Sequence, residues 1–159
     1  MVWSTYNIEQ DAHCEACGTE YKGKRMSQKI PISQAKIMVV DDEPEITEIV
    51  ETFLTDAGYT VLVENSSAQA VQKALEFRPD VILLDIMMPG VDGYDVCQQL
   101  KQSPEFVGTP IIFLTGKDRN DDMGRSFKSG GDMFIKKPFS CERLMEIINI
   151  VLLSAGFNK

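Results

Sequence analysis

Val81-Ile82-Leu83-Leu84-Asp85 runs four consecutive aliphatic side chains into a carboxylate. Successive strand residues face opposite sides of a sheet, so an uninterrupted apolar run marks a strand covered on both faces. Three other stretches share the design. Ile37 to Val40 runs into Asp41 and Asp42, Ile111 to Leu114 into Thr115, and Met133-Phe134-Ile135 into Lys136, Lys137 and Pro138. Laid parallel in one sheet, these runs collect acids, a hydroxyl and an ammonium along its carboxyl edge, where open α/β sheets bind ligands.

The intervening segments read as helices. Pro44 suits a first helical turn, and Ile46, Ile49, Val50, Phe53, Leu54 and Ala57 follow at helical spacing before Gly58 stops the run. Tyr59 to Val63 forms a short strand. Ser66 or Ser67 caps a second helix carrying Val71, Ala74 and Leu75, which Arg78-Pro79-Asp80 ends. Pro89-Gly90 and Asp92-Gly93 shape the loop after Asp85, and Val96, Cys97 and Leu100 mark a third helix. A polar stretch with Met123 and Phe127 reads as a fourth, and Ser140 caps a last helix from about Cys141 to Ser154. Five strands alternating with five helices predict an α/β fold, a doubly wound parallel sheet. With right-handed crossovers the compact strand order is 2-1-3-4-5, the flavodoxin-like topology.

The chain has 159 residues, 43% hydrophobic and 25% charged, with a formal charge of −8, and fits one globular domain with an appendage. That acidity argues against direct nucleic-acid binding or attachment to an anionic membrane. No stretch approaches the ~20 apolar residues of a membrane span, and no signal peptide opens the chain, so the cytoplasm is the expected location. Residues 1–35 lack a sustained period and form an N-terminal extension; the regular domain is expected over residues 36–159. Cys97 and Cys141 fall in helices and read as small buried hydrophobes. His13-Cys14-Glu15-Ala16-Cys17-Gly18 resembles half a zinc knuckle, with Cys14 and Cys17 at ligand spacing but no second pair. A flexible arm, Zn²⁺ shared between two chains and a redox pair all remain open there.

Two carboxylates ~4 Å apart repel by about 4 kcal/mol at an effective dielectric near 20, so the acid pair and Asp85 need a positive partner. Mg²⁺ suits an all-oxygen site of this kind, and Lys137 supplies a second positive charge. A carboxylate can attack phosphorus to give an acyl phosphate, with cation and lysine offsetting charge on the transferring group.

On these residues the chain resembles the receiver domain of two-component response regulators, such as the single-domain chemotaxis protein. The matching pieces are Ile37-Met38-Val39-Val40-Asp41-Asp42-Glu43, Leu84-Asp85-Ile86-Met87-Met88-Pro89-Gly90 with Asp92-Gly93, Leu114-Thr115-Gly116, Gly130-Gly131-Asp132 and Lys137-Pro138-Phe139. The resemblance implies that Asp85 is the phosphoacceptor, that Asp42 binds Mg²⁺ directly and Asp41 largely through water, and that the Met87 backbone carbonyl completes the ligands. It also implies that Lys137 rather than Lys136 contacts the phosphoryl group and that Lys137-Pro138 is cis. Thr115 and Phe134 stand at the family's switch positions. Phe134 lacks the hydroxyl of the commoner tyrosine, so a switch here must be read through packing. The surface near the fourth helix, the fifth strand and the last helix is the implied moving element.

The expected function is that of a single-domain switch that takes a phosphoryl group from a histidine kinase or phosphotransfer protein and passes the signal to an output protein. It is not a turnover enzyme. An aspartyl-phosphate phosphatase would need a second acid where Met87 stands, and the acidic Asp41-Asp42-Glu43-Pro44 loop would repel a flavin phosphate. Met87 and Lys117 flank the site and are expected to tune hydrolysis. Ile147, Ile148, Ile150, Val151, Leu152 and Leu153 cover more of the last helix than one buried face needs. The excess suits either packing against the chain's own N-terminal segment or a frayed end, or else a homodimer or partner surface.

Overall fold

A computed structural model describes residues 34–116 and 129–157, together with the backbone of two short antiparallel segments, Ala12–His13 and Glu20–Tyr21. Five strands form one parallel sheet: β1 (Lys36–Val40), β2 (Thr60–Glu64), β3 (Val81–Asp85), β4 (Ile111–Thr115) and β5 (Met133–Lys136). Their order is β2-β1-β3-β4-β5, the predicted 2-1-3-4-5 arrangement. Four helices lie among the described residues: α1 (Pro44–Asp56), α2 (Ser67–Phe77), α3 (Gly93–Gln102) and α4 (Cys141–Ser154). The helix expected around Met123 and Phe127 falls on residues outside that set, as do Cys14, Cys17 and Lys117. Among the described residues no helix is long and apolar enough to cross a membrane.

The period-2 geometry of the strands sorts their apolar runs into two cores. Ile37, Val39, Val81, Leu83, Ile112, Leu114 and Ile135 meet α1 and α4 on one face. Met38, Val40, Ile82, Leu84, Ile111 and Phe113 meet α2 and α3 on the other. Both faces being dry explains why β1, β3 and β4 carry no polar alternation. Cys97 lies fully buried in the second core, where burial pushes its thiol up to about 11 and its Sγ donates to the Ser129 carbonyl. Cys141 departs from the expected burial, because it opens α4 and is only half covered.

Local signals hold with two refinements. Pro44 occupies the first turn of α1, and Ser140 caps α4 by accepting from the Arg143 amide. Ser66 is the N-cap residue of α2, but its side chain makes no capping bond. Ser67 instead donates to the Pro89 carbonyl at 3.2 Å, tying the start of α2 to the loop beyond β3. On α4, Ile147, Ile148, Val151 and Leu152 are buried, whereas Ile150 and Leu153 are 46% and 44% exposed. The apolar excess therefore resolves into one buried face and two outward residues.

Lys101 at the end of α3 acts as a clamp. Its ammonium donates to the Thr109 carbonyl at 2.7 Å and to Asp132 Oδ2 at 3.2 Å, and that same oxygen accepts the Ile111 amide at 2.9 Å. One side chain thus fixes the entries of both β4 and β5, which sets the register of their far ends.

Candidate functional site

Parallel register carries the strand ends to one edge. Val40 pairs with Leu84, Asp85 with Leu114, and Thr115 with Lys136. Asp41 follows Val40 and so comes level with Asp85, while the Lys137 amide donates to the Thr115 carbonyl at 2.7 Å. Carboxylate oxygens of Asp41, Asp42 and Asp85 lie within 4.8 Å of one another. Asp41 and Asp85 are buried and Asp42 half-buried.

Lys137 enters from the far side. Its Nζ is 2.7 Å from Asp41 Oδ2 and 3.2 Å from Asp85 Oδ1, and it donates a hydrogen bond to Glu43 Oε1 at 3.0 Å. The Lys137-Pro138 bond is cis, as the resemblance implies. Lys136, pointing the other way along the strand, is exposed. Geometry therefore selects Lys137, which spacing alone left undecided.

The electrostatics follow from one ammonium set among four acids. Burial raises the pKa of Asp85, and the charges of Asp41 and Asp42 raise it further, while Lys137 lowers it in part. Burial works against the charge on Lys137, but its contacts with Asp41 and Glu43 and the field of Asp85 outweigh that and hold its pKa above the ordinary lysine range. The cluster stays short of positive charge.

The residues fit Mg²⁺. The donors are all oxygen, as that ion prefers. Asp41 Oδ2 is buried and receives no aligned hydrogen bond; it touches Lys137 only as an ion pair. Its other oxygen accepts the Glu43 amide at 3.0 Å, so the carboxylate is anchored with one face turned to the cluster. Such a set lacks the Cys and His ligands of structural Zn²⁺.

Thr115 is buried at the end of β4, one residue beyond the Asp85–Leu114 pair. Phe134 is half-buried on β5, its ring 5.3 Å from Phe113, which meets Tyr94 edge-on at 5.1 Å. In the loop after β3, Ile86 and Met88 point inward, leaving the Met87 side chain 56% exposed.

Two residues escaped the sequence reading. Glu43 was read only as one acid of the loop that repels a flavin phosphate, with no contact to Lys137 assigned to it. Asn65, just past β2, donates to the Asp41 carbonyl at 2.7 Å and to Thr47 Oγ1 at 3.1 Å. It locks the turn that presents Asp41 and Asp42. Removing a partner that orients a ligand commonly costs ~10-fold in metal affinity, so Asn65→Ala should weaken Mg²⁺ binding about tenfold by titration calorimetry. An unchanged affinity would show that the turn holds itself.

The profile of the response regulator receiver domain matches residues 37–149. PilG of Pseudomonas aeruginosa is 37% identical over 113 residues, covering 71% of this chain and 84% of PilG. The transcriptional regulatory protein ResD of Bacillus subtilis is 37% identical over 124 residues, 78% of this chain but 50% of ResD. The chain spans about half the length of several curated relatives it matches. Among solved structures, the chemotaxis protein CheY4 of Vibrio cholerae superposes with a TM-score of 0.72 at 30% identity, covering 74% of this chain and 98% of CheY4. The receiver domain of a Pseudomonas aeruginosa sensor histidine kinase, solved with a magnesium ion coordinated in its active site cleft, gives a TM-score of 0.69 at 28% identity, over 75% of this chain and 98% of that one. Fold, edge geometry and sequence agree, and the chain belongs to the response regulator receiver domain family.

Proposed function

We propose that this chain is a signalling switch in the cytoplasm, phosphorylated on Asp85 by a histidine kinase or phosphotransfer protein and read by an output protein. The observation that carries this reading is the convergence of Asp41, Asp42 and Asp85 within 4.8 Å, with Lys137 against them. An Asp85 oxygen attacks the phosphorus of a donor phosphohistidine; the P–N bond breaks, and its electron pair returns to the imidazole, which takes up a proton. Asp41, Asp42, the Asp85 carboxylate and the Met87 carbonyl would hold Mg²⁺, whose charge would offset that on the transferring oxygens. Lys137 holds a second oxygen, and Thr115 hydrogen-bonds a third. The chain's own chemistry on this reading is limited to accepting the phosphoryl group and losing it again by hydrolysis, which is that of a switch rather than of an enzyme acting on a separate substrate.

The readout runs through packing. Drawing Thr115 toward a new dianion shifts the end of β4, and Phe134 feels it through Phe113, the residue two positions before Thr115 in that strand. Intact-mass analysis after incubation with acetyl phosphate should give one phosphoryl adduct that requires Mg²⁺ and is released by hydroxylamine. A hydroxylamine-stable adduct, or none, would sink the reading.

The outward Ile150 and Leu153 of α4 offer an apolar contact for a second copy of the chain. Sedimentation velocity with beryllofluoride and Mg²⁺ should show a dimer that Leu153→Glu abolishes; a monomer under all conditions removes the homodimer.

A further inference from the structure

We propose that Glu43 is a positioning residue for phosphoryl acceptance, a latch that holds the Lys137 ammonium in the resting site and releases it when a phosphoryl group arrives on Asp85. The inference rests on the receiver reading above and adds to it a residue that neither the motif nor the metal set explains.

Lys137 Nζ lies within reach of three carboxylates, but they are not equivalent. Asp41 is nearest at 2.7 Å, Glu43 follows at 3.0 Å and Asp85 at 3.2 Å, and only Glu43 reaches into solvent. A lysine has three N–H groups and no acceptor, so any bond to a phosphoryl oxygen must be taken from a donor already engaged or aimed elsewhere. Asp41 and Asp85 have no water to turn to, since their side chains are 0% and 4% exposed and stay against the lysine at the bottom of the site. The Glu43 side chain is 58% exposed and can turn its carboxylate into water. It is the contact that can be given up.

The rest of Glu43 is fixed in a way that isolates this role. Its amide donates to Asp41 Oδ1, its carbonyl accepts the Ile46 and Thr47 amides, and its side chain makes no capping bond to α1. Changing the carboxylate therefore leaves the turn and the helix start intact. The plain alternative is a solvated acid that repels anionic donors by its charge alone.

The two readings part under test. The full chain with Mg²⁺ is phosphorylated by acetyl phosphate or by phosphoramidate and followed by intact mass. With acetyl phosphate, an Asp85 oxygen bonds to phosphorus, the bond from phosphorus to the acetyl oxygen breaks, and acetate leaves with that electron pair. An exposed ion pair is worth little, so Glu43→Gln should lower the half-saturating donor concentration about 2- to 5-fold, with the saturated rate nearly unchanged. The gain should appear with both donors and persist at high salt. Glu43→Asp keeps the charge but shortens its reach to Lys137, and should behave like Glu43→Gln. Melting curves confirm that both variants fold.

No gain in Glu43→Gln overturns the latch. So does a gain confined to acetyl phosphate and lost in salt, or a Glu43→Asp protein that behaves like the parent. A parent chain that accepts phosphoryl from neither donor is a different result: it removes the receiver reading, and the latch with it.

Discussion

An Asp85→Asn protein should take up no phosphoryl group and, without Mg²⁺ at neutral pH, should melt roughly 5 °C above the parent. The first effect follows because an amide oxygen at that position is neither anionic nor nucleophilic. The second follows from the cost of the cluster itself. Asp85 is buried beside Asp41 and Asp42, with oxygens within 4.8 Å, and Lys137 at 3.2 Å offsets only part of that repulsion. At an effective dielectric near 20, the balance is a penalty of about 2 kcal/mol. The sign can be checked against pH. The folded-state pKa of Asp85 is raised, so the native chain binds its proton more tightly than the unfolded chain. The penalty is absent below the unfolded carboxylate range, grows as pH rises through the folded pKa, and is complete above it. The advantage of the asparagine variant should therefore shrink on acidification. It should also shrink in excess Mg²⁺, which binds and stabilises the parent more. Calorimetric melts in chelator and in Mg²⁺ measure both. A variant melting below the parent in chelator would mean that the Lys137 attraction outweighs the repulsion.

The residues legible in the sequence were those whose position along a strand decides their fate. Asp41, Asp42, Asp85, Thr115 and Lys137 each end an apolar run, and parallel pairing brings such ends together whatever the loops do. Strand limits were off by one where a side chain had a tertiary use. Tyr59, expected to open the second strand, instead packs into the core with its hydroxyl donating to Asn149 on α4, and the strand starts at Thr60. Glu43 and Asn65 were not legible, because their partners come from other segments: Glu43 meets Lys137 across the sheet edge, and Asn65 reaches back from β2 to Asp41. An acid after two acids, or an asparagine before two serines, carries no sign of such a contact. The exposure of Ile150 and Leu153 was likewise invisible, since periodicity counts apolar positions without saying how many a neighbouring helix covers.

Gly93 shows the same limit most sharply, and it carries the other large expected effect. In the sequence it reads as half of an Asp-Gly turn. In the fold it begins α3 directly beneath Asp85: its amide donates to the Ile86 carbonyl at 3.0 Å, and Asp92 caps the helix by accepting from Asp95. A Cβ at this position would lie 2.1 Å from the Asp85 carbonyl oxygen and 2.8 Å from Ile86 Cα. Both are backbone atoms of the strand end and the loop that position the Asp85 carboxylate, so neither can yield without moving the site. Gly93→Ala should thus destabilise by about 3 kcal/mol, lowering the melting temperature by roughly 10 °C. Even below that temperature it should lose most phosphoryl uptake, because the Asp85–Ile86 peptide must shift relative to Asp41 and Lys137. Gly108→Ala is the control: nothing lies within 4 Å of its added Cβ, and stability should change by less than about 1 kcal/mol. Equal melting temperatures for the two variants would show that α3 can slide away from β3 at little cost. The strand end and the helix start would then not be the single rigid corner on which the geometry of Asp85 depends.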